Sequence, residues 1–266
     1  MKKFWGFLLV IVLMTSCGEY QSLLKSNDYN LVYKKAIEYY NKGDYQRAMN
    51  LLDGVRSVFV GQAKAQNIAY YRAFCSYNMK DYQIASDLFK QFIQTYPESS
   101  FAEECLYMMG FYDYKASPKP RLDQQVTEKA IREFQLYLSR YPYSMRKDKV
   151  NTYMDEMRDK LSYKAYLSAK NYYLREHYKA AVISLQNCLK DYPGSKYREE
   201  IMYMLFVSKY QMAVNSVEDK KVERYNNARE EYYYFADEYP NSRYAADVKK
   251  MYEDIEAYLE NYKFED

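Results

Sequence analysis

Apolar and small residues recur along this chain at helical spacing, and four short polar joints interrupt them. Each joint reads Tyr-Pro-x-Ser, starting at Tyr96, Tyr141, Tyr192 and Tyr239, so four of the six prolines serve one purpose. Eight residues before each proline stands Phe89, Phe134, Leu185 or Tyr232, and four before that stands Ala85, Ala130, Ala181 or Ala228. A fifth copy, without the proline, holds Ala48, Leu52 and Val60. An aromatic usually stands three residues before the alanine: Tyr45, Tyr82, Tyr178 and Tyr225, with Thr127 in the third copy. Residues three and four apart share a helix face, so the alanine and the residue one turn later form a packing seam. Proline cannot continue a helix and disfavours helical geometry in the residue before it, so each helix stops at the tyrosine. The serine two residues after the proline is a good N-cap for the next helix, and Ser100 to Glu103 fits a capping box.

A second helix precedes each seam. The stretches 33–45, 69–82 and 165–178 share one form, each ending in a short polar turn. Two copies are stretched: a polar loop with two prolines follows residue 114, and an insertion lies near 214–221. A long helical run over 144–176 precedes the fourth seam. The frame Ala-x3-aromatic/Leu-x7-Pro resembles the second helix of the tetratricopeptide repeat, a two-helix unit of about 34 residues. The fold class implied is all-α: a right-handed α-solenoid of about five tetratricopeptide-like helix pairs with a C-terminal capping helix. Repeats are expected over 28–63, 64–98, 99–143, 144–194 and 195–241. Residues 242–266 form the capping helix and tail that cover the last apolar face.

The N-terminus changes the picture. A charged start, Met1-Lys2-Lys3, precedes an apolar run that is too short to span a bilayer and reads as an export signal. Small residues then lead to Cys17, which resembles the bacterial lipobox with Met14 in the usual leucine position. Residues 1–16 are the expected lipoprotein signal peptide and 17–27 a lipidated linker. Lipid chains on Cys17 would hold the chain at a membrane surface without spanning it. Cys75, Cys105 and Cys188 match no metal-ligand spacing and read as small buried hydrophobes, with a disulfide left open. The net charge of +3 becomes +1 without Lys2 and Lys3, which gives no reason to expect nucleic acid.

Candidate chemistry is sparse. The sequence holds no Gly-rich phosphate loop, and no partner residues for a Ser-His-Asp or Cys-His arrangement are found for its one histidine, His177. His177 aligns with Asp44 and Asp81 in the turn between paired helices, and reads as a turn residue. The carboxylate pairs Glu103/Glu104, Glu199/Glu200 and Glu230/Glu231 lie where acidic residues favour a helix start or face solvent. No catalytic residue, metal or cofactor is expected, so the chain reads as a binding protein and not an enzyme. Tyrosine, with 36 copies, is the outlier, and its ring and hydroxyl suit binding surfaces. Tyr33, Tyr40, Tyr70, Tyr71 and Tyr77 are the candidate residues for holding an extended peptide; the alternative is that they pack inside the repeats.

The lipobox, five degenerate repeats and a mature length near 250 together resemble the BamD family, tetratricopeptide lipoproteins of the outer-membrane protein assembly machinery. The stretches 118–144 and 161–195 carry the resemblance most specifically. It implies a scaffold at the periplasmic face of the outer membrane, anchored through Cys17. Its partners would be the barrel-forming central subunit of that machinery, other assembly lipoproteins, and unfolded outer membrane proteins. The alternative is a tetratricopeptide envelope lipoprotein in cell-wall synthesis or glycan binding. Coordinators of cell-wall synthesis usually carry a coiled coil before the repeats, for which residues 18–30 leave no room. Glycan binders are commonly longer and use stacking tryptophans, whereas the one tryptophan here, Trp5, lies in the signal.

Overall fold

A computed structural model describes residues 18–262. The described residues form twelve helices and no strands. They are α1 (18–24), α2 (Tyr29–Asn41), α3 (Tyr45–Val55), α4 (Ala63–Asn78), α5 (Tyr82–Thr95) and α6 (Ala102–Ala116). Next come α7 (Gln125–Arg140), α8 (Lys147–Leu174), α9 (Tyr178–Asp191), α10 (Arg198–Val214), α11 (Glu218–Glu238) and α12 (Ala245–Tyr262). The all-α reading from helix pairs is borne out. Two compact units divide the chain. One comprises residues up to Ser117 with Gln125–Tyr153, and the other Pro118–Gln124 with the chain from Met154 onward.

The seam residues explain why these segments pair. Ala48, Ala85, Ala130, Ala181 and Ala228 are fully buried, as are Leu52, Phe89, Phe134 and Leu185 one turn later. Tyr232 departs from its copies: it is half-buried and stacks on Tyr252 at 4.0 Å. A third seam position, seven residues after the alanine, is buried in all five copies: Val55, Phe92, Tyr137, Cys188 and Phe235. Close approach is visible at Gly110 of α6, where an added Cβ would lie 2.8 Å from the Phe134 ring of α7. The helix backbone there is the wall against which the seam aromatic packs.

The turn within a pair repeats in detail. Gly43, Lys80 and Glu176 all have left-handed φ, at 80°, 68° and 60°. At Gly43 the Asp44 amide donates to Tyr39 O at 3.0 Å and the Gly43 amide to Tyr40 O at 2.9 Å. The same two bonds recur at Lys80–Asp81 and Glu176–His177, closing a Schellman turn. Asp44 then caps α3 through the Arg47 amide at 3.2 Å, whereas Asp81 and His177 make no side-chain cap bond.

The joint between pairs is equally regular. The amide of Tyr96, Tyr141, Tyr192 or Tyr239 donates to the carbonyl four residues back and ends the helix. The serine amide donates to the tyrosine carbonyl across the proline, at 3.0–3.1 Å. The hydroxyl of Ser99, Ser144, Ser195 or Ser242 accepts from the amide two residues on, at 3.0–3.3 Å, and so starts the next helix. The capping box expected at Ser100–Glu103 does not form. Ser99 is the residue that caps, α6 starts at Ala102, and the Glu103 carboxylate reaches Ser144 of the following joint at 2.6 Å.

Geometry explains three stretches that lie outside the repeat frame. Residues 18–24, placed in a linker, form α1, because Tyr20 and Leu23 find an apolar seat among Val32, Ala36 and Ala48. Asn50 Nδ2 also donates to the Tyr20 hydroxyl at 3.0 Å. At the insertion near 214–221, three residues separate α10 from α11, and the extra length extends α11 to 21 residues. The two-proline loop after α6 is tied rather than free, since Gln124 Nε2 donates to Lys119 O at 2.9 Å and to Leu122 O at 3.1 Å.

Candidate functional site

The five candidate tyrosines separate into two groups. Tyr40, Tyr70, Tyr71 and Tyr77 join one ladder of rings across α2 and α4. Tyr40 meets Tyr71 at 4.8 Å, Tyr71 meets Tyr70 at 5.4 Å, and Tyr70 packs on Phe74 at 4.5 Å and on Phe101 at 4.4 Å. The ladder continues through Tyr77 to Tyr82 at 5.9 Å, and from Tyr82 to Tyr112 at 5.0 Å. Tyr33 stands apart, against Phe59 and beneath the Lys64 ammonium. All five are half-buried, so each ring packs within the repeats and also presents an edge to solvent. Burial raises the Tyr40 phenol to about 12 and raises Tyr70 and Tyr77 as well.

The structure adds two clefts that pattern reading missed. In the first unit, a cleft of about 490 Å³ opens between the end of α3, α4 and α5. Arg56 and Arg72 stand at its edge, with Val60, Leu88 and Phe92 among its apolar walls. Arg72 is held by Asp53 at 2.6 Å. In the second unit, a cleft of about 780 Å³ runs along α8. Its wall is a stack of Tyr163, Tyr197 and Tyr166, with Tyr166 and Tyr197 4.4 Å apart. Lys164 and Lys170 stand beside the stack; Lys170 pairs with Glu200 at 2.7 Å. The signal that could have found these rings is their spacing of three on α8 combined with the joint residue Tyr197.

Two of the three carboxylate pairs hold joints together, whereas Glu231 of the third pairs with Lys209 at 2.5 Å. Glu103 Oε1 accepts from Ser144 Oγ at 2.6 Å and from the Tyr137 hydroxyl at 2.9 Å, while Glu104 pairs with Arg146 at 2.7 Å. Glu199 accepts from Ser242 Oγ at 2.6 Å in the same way. Each ties one joint to the next, about 40 residues on. His177 is exposed at the start of α9. No cluster of metal-ligating side chains occurs among the described residues. Cys75, Cys105 and Cys188 are free and buried; burial pushes the first two thiols to about 12 and the third to about 11. Cys17, the expected lipidation site, and the signal 1–16 lie outside the described residues. No described helix is long and apolar enough to cross a membrane.

Comparison with known proteins follows from this geometry. None of the curated proteins compared with the chain matches it. Among solved structures, a TPR repeats protein from Bacteroides fragilis is 13% identical, with 87% of this chain and 99% of that one covered and a TM-score of 0.42. The TPR2AB domain of yeast Sti1 in complex with pHSP90 is also 13% identical, with 86% and 98% covered and a TM-score of 0.39. A family model described as YfiO, outer membrane lipoprotein, matches residues 25–200 and 164–265, nearly all that is described. The chain belongs to the YfiO family of outer membrane lipoproteins.

Proposed function

We propose that this lipoprotein is a scaffold of the β-barrel assembly machinery, the BamD role. It binds the periplasmic domains of the barrel-forming subunit and helps fold and insert outer membrane proteins. The family match over 25–265 carries this reading. Two features support it. The helix pairs present aromatic edges and clefts without a catalytic constellation, which is what a non-enzymatic binding protein needs. Cys17 supplies an anchor at the periplasmic face of the outer membrane. The C-terminal repeats hold the central subunit, and the N-terminal repeats receive the targeting strand of an unfolded barrel protein. In that arrangement Tyr33, Tyr40, Tyr70, Tyr71 and Tyr77 contact the incoming strand. Repeats over 28–63, 64–98, 99–143, 144–194 and 195–241 are the binding units, and 242–266 caps them.

The test is an affinity pull-down from detergent-solubilised membranes with the chain tagged at its C-terminus. A stoichiometric barrel protein bearing repeated periplasmic domains is the expected companion. Recovery of cell-wall synthases instead, or of nothing, overturns the reading and leaves a tetratricopeptide envelope lipoprotein of other purpose.

A further inference from the structure

The anchor proposed at Cys17 meets folded structure at once. Gly18, bonded to Cys17 in the sequence, is the first residue of α1, and α1 is fixed in the first unit. Tyr20 and Leu23 are buried in the cluster that holds Val32, Ala36 and Ala48. The Tyr20 ring meets Tyr39 edge-on at 6.0 Å, and its hydroxyl accepts from Asn50 Nδ2 at 3.0 Å. Glu19 is tied to Lys35 of α2 at 3.0 Å. A flexible tether of about twelve residues would let a domain stand roughly 20 Å off its anchor. Here a single residue, spanning at most about 3.6 Å, joins the lipid to the packed helix.

We propose that the corner formed by α1 and the start of α2 rests on the phospholipid surface that holds the anchor. The seven residues of α1 span about 10 Å, so the whole corner stays within reach of the headgroup layer. The corner exposes three large apolar side chains within eight residues: Leu24 at 46%, Tyr29 at 39% and Leu31 at 41%. Apolar side chains of an interfacial segment sink about 5–10 Å into the headgroup and acyl boundary, and tyrosine favours that depth. The charges suit the same occupant. Glu19 and Glu38 are both paired with Lys35, and Asp28 accepts from the Leu31 amide at 3.0 Å as the cap of α2. Lys25 and Lys34 are exposed, beside Leu24 and one turn after Leu31, where ammonium groups attract anionic headgroups. Tether length selects lipid over a protein partner, because this corner cannot leave the surface while Cys17 stays in it. The inference rests on lipidation of Cys17 and is independent of which proteins the repeats bind.

The experiment uses the full chain, purified with its lipid and reconstituted into vesicles of phosphatidylethanolamine and phosphatidylglycerol. A fluorophore is attached at Leu24→Cys, at Leu31→Cys, or at Met145→Cys, a fully exposed control position two repeats along in the same unit. All three positions are exposed, so the label leaves the core intact, and Cys75, Cys105 and Cys188 are buried and stay unlabelled. Nitroxide-bearing phospholipids quench what touches the bilayer. The expected result is about a threefold drop in emission at positions 24 and 31, which lie at the depth of the quencher, and little change at 145. Inserting about twelve Gly-Ser residues between Cys17 and Gly18, a reach of roughly 20 Å, should keep the lipid and restore the emission. If mass spectrometry shows the lipid on Cys17 and positions 24 and 31 are no more quenched than 145, the inference falls and the anchor stands. Equal quenching after the insertion also overturns it, since the contact then owes nothing to the short tether. A mass without lipid on Cys17 overturns the anchor and the inference together.

Discussion

At the residue scale, the backbone turn between paired helices demands a left-handed φ that only glycine adopts without cost. Gly43 meets that demand, while Lys80 and Glu176 meet the same geometry with a side chain. A non-glycine residue there costs about 1–2 kcal/mol, part of which glycine returns as lost chain entropy. Lys80→Gly and Glu176→Gly are each expected to raise unfolding stability by about 0.5–1 kcal/mol. Chemical denaturation measures it, and a loss of stability in both would refute the strain argument. The turn itself was legible in the sequence, because a polar triplet ends each first helix. Its handedness was not, since Lys-Gly-Asp, Met-Lys-Asp and Arg-Glu-His share no residue that declares it. Gly110 was invisible for a related reason: a glycine inside a helix signals close approach only once Phe134 is seen against it.

At the element scale, the Tyr-Pro-x-Ser joint joins helix stop to helix start through the same two backbone bonds and one serine side-chain bond in every copy. The sequence announced the stop and the cap. It did not announce that Glu103 and Glu199 reach forward to the serine of the next joint, because residues about 40 apart meet only after the intervening pair has folded. Bonds from Ser144, then Tyr137, together with the Arg146 charge, outweigh burial and hold the Glu103 carboxyl below the usual carboxylate range. The sign follows. A depressed folded value contributes stability above the unfolded value, and that contribution is lost as pH falls through the folded one. Ser144→Ala is expected to cost about 1 kcal/mol at neutral pH and to flatten the fall in stability on the acid side. Denaturation midpoints taken from pH 7 down to pH 3 test this; an unchanged acid slope would mean that the joint does not depend on Glu103.

At the scale of the whole molecule, the chain belongs to an outer membrane lipoprotein family, and the anchor proposed for it at Cys17 can be tested directly. Cys17→Ala is expected to leave the helical domain folded and to move it from the outer-membrane fraction to the soluble fraction on cell fractionation. Retention in the membrane at wild-type level would show that another contact suffices. The sequence by itself determined the helix pairs, because the alanine seam, the aromatic one turn later and the proline stop are local physics acting within about fifteen residues. Apolar periodicity also located the capping helix α12, whose Val248, Ile255 and Leu259 are buried. It drew no helix over 18–24, because Tyr20 and Leu23 acquire their apolar seat only when α2 and α3 are in place. Nor could it tell which tyrosines end half-buried and which fully buried, since the same ring spacing serves both. Tertiary structure alone decided which buried polar side chains meet: Lys209 with Glu231 in the fifth repeat, Asp113 with Glu133 in the third. Each pair lies on two helices whose mutual register is set by close packing, and only that register brings the two side chains together.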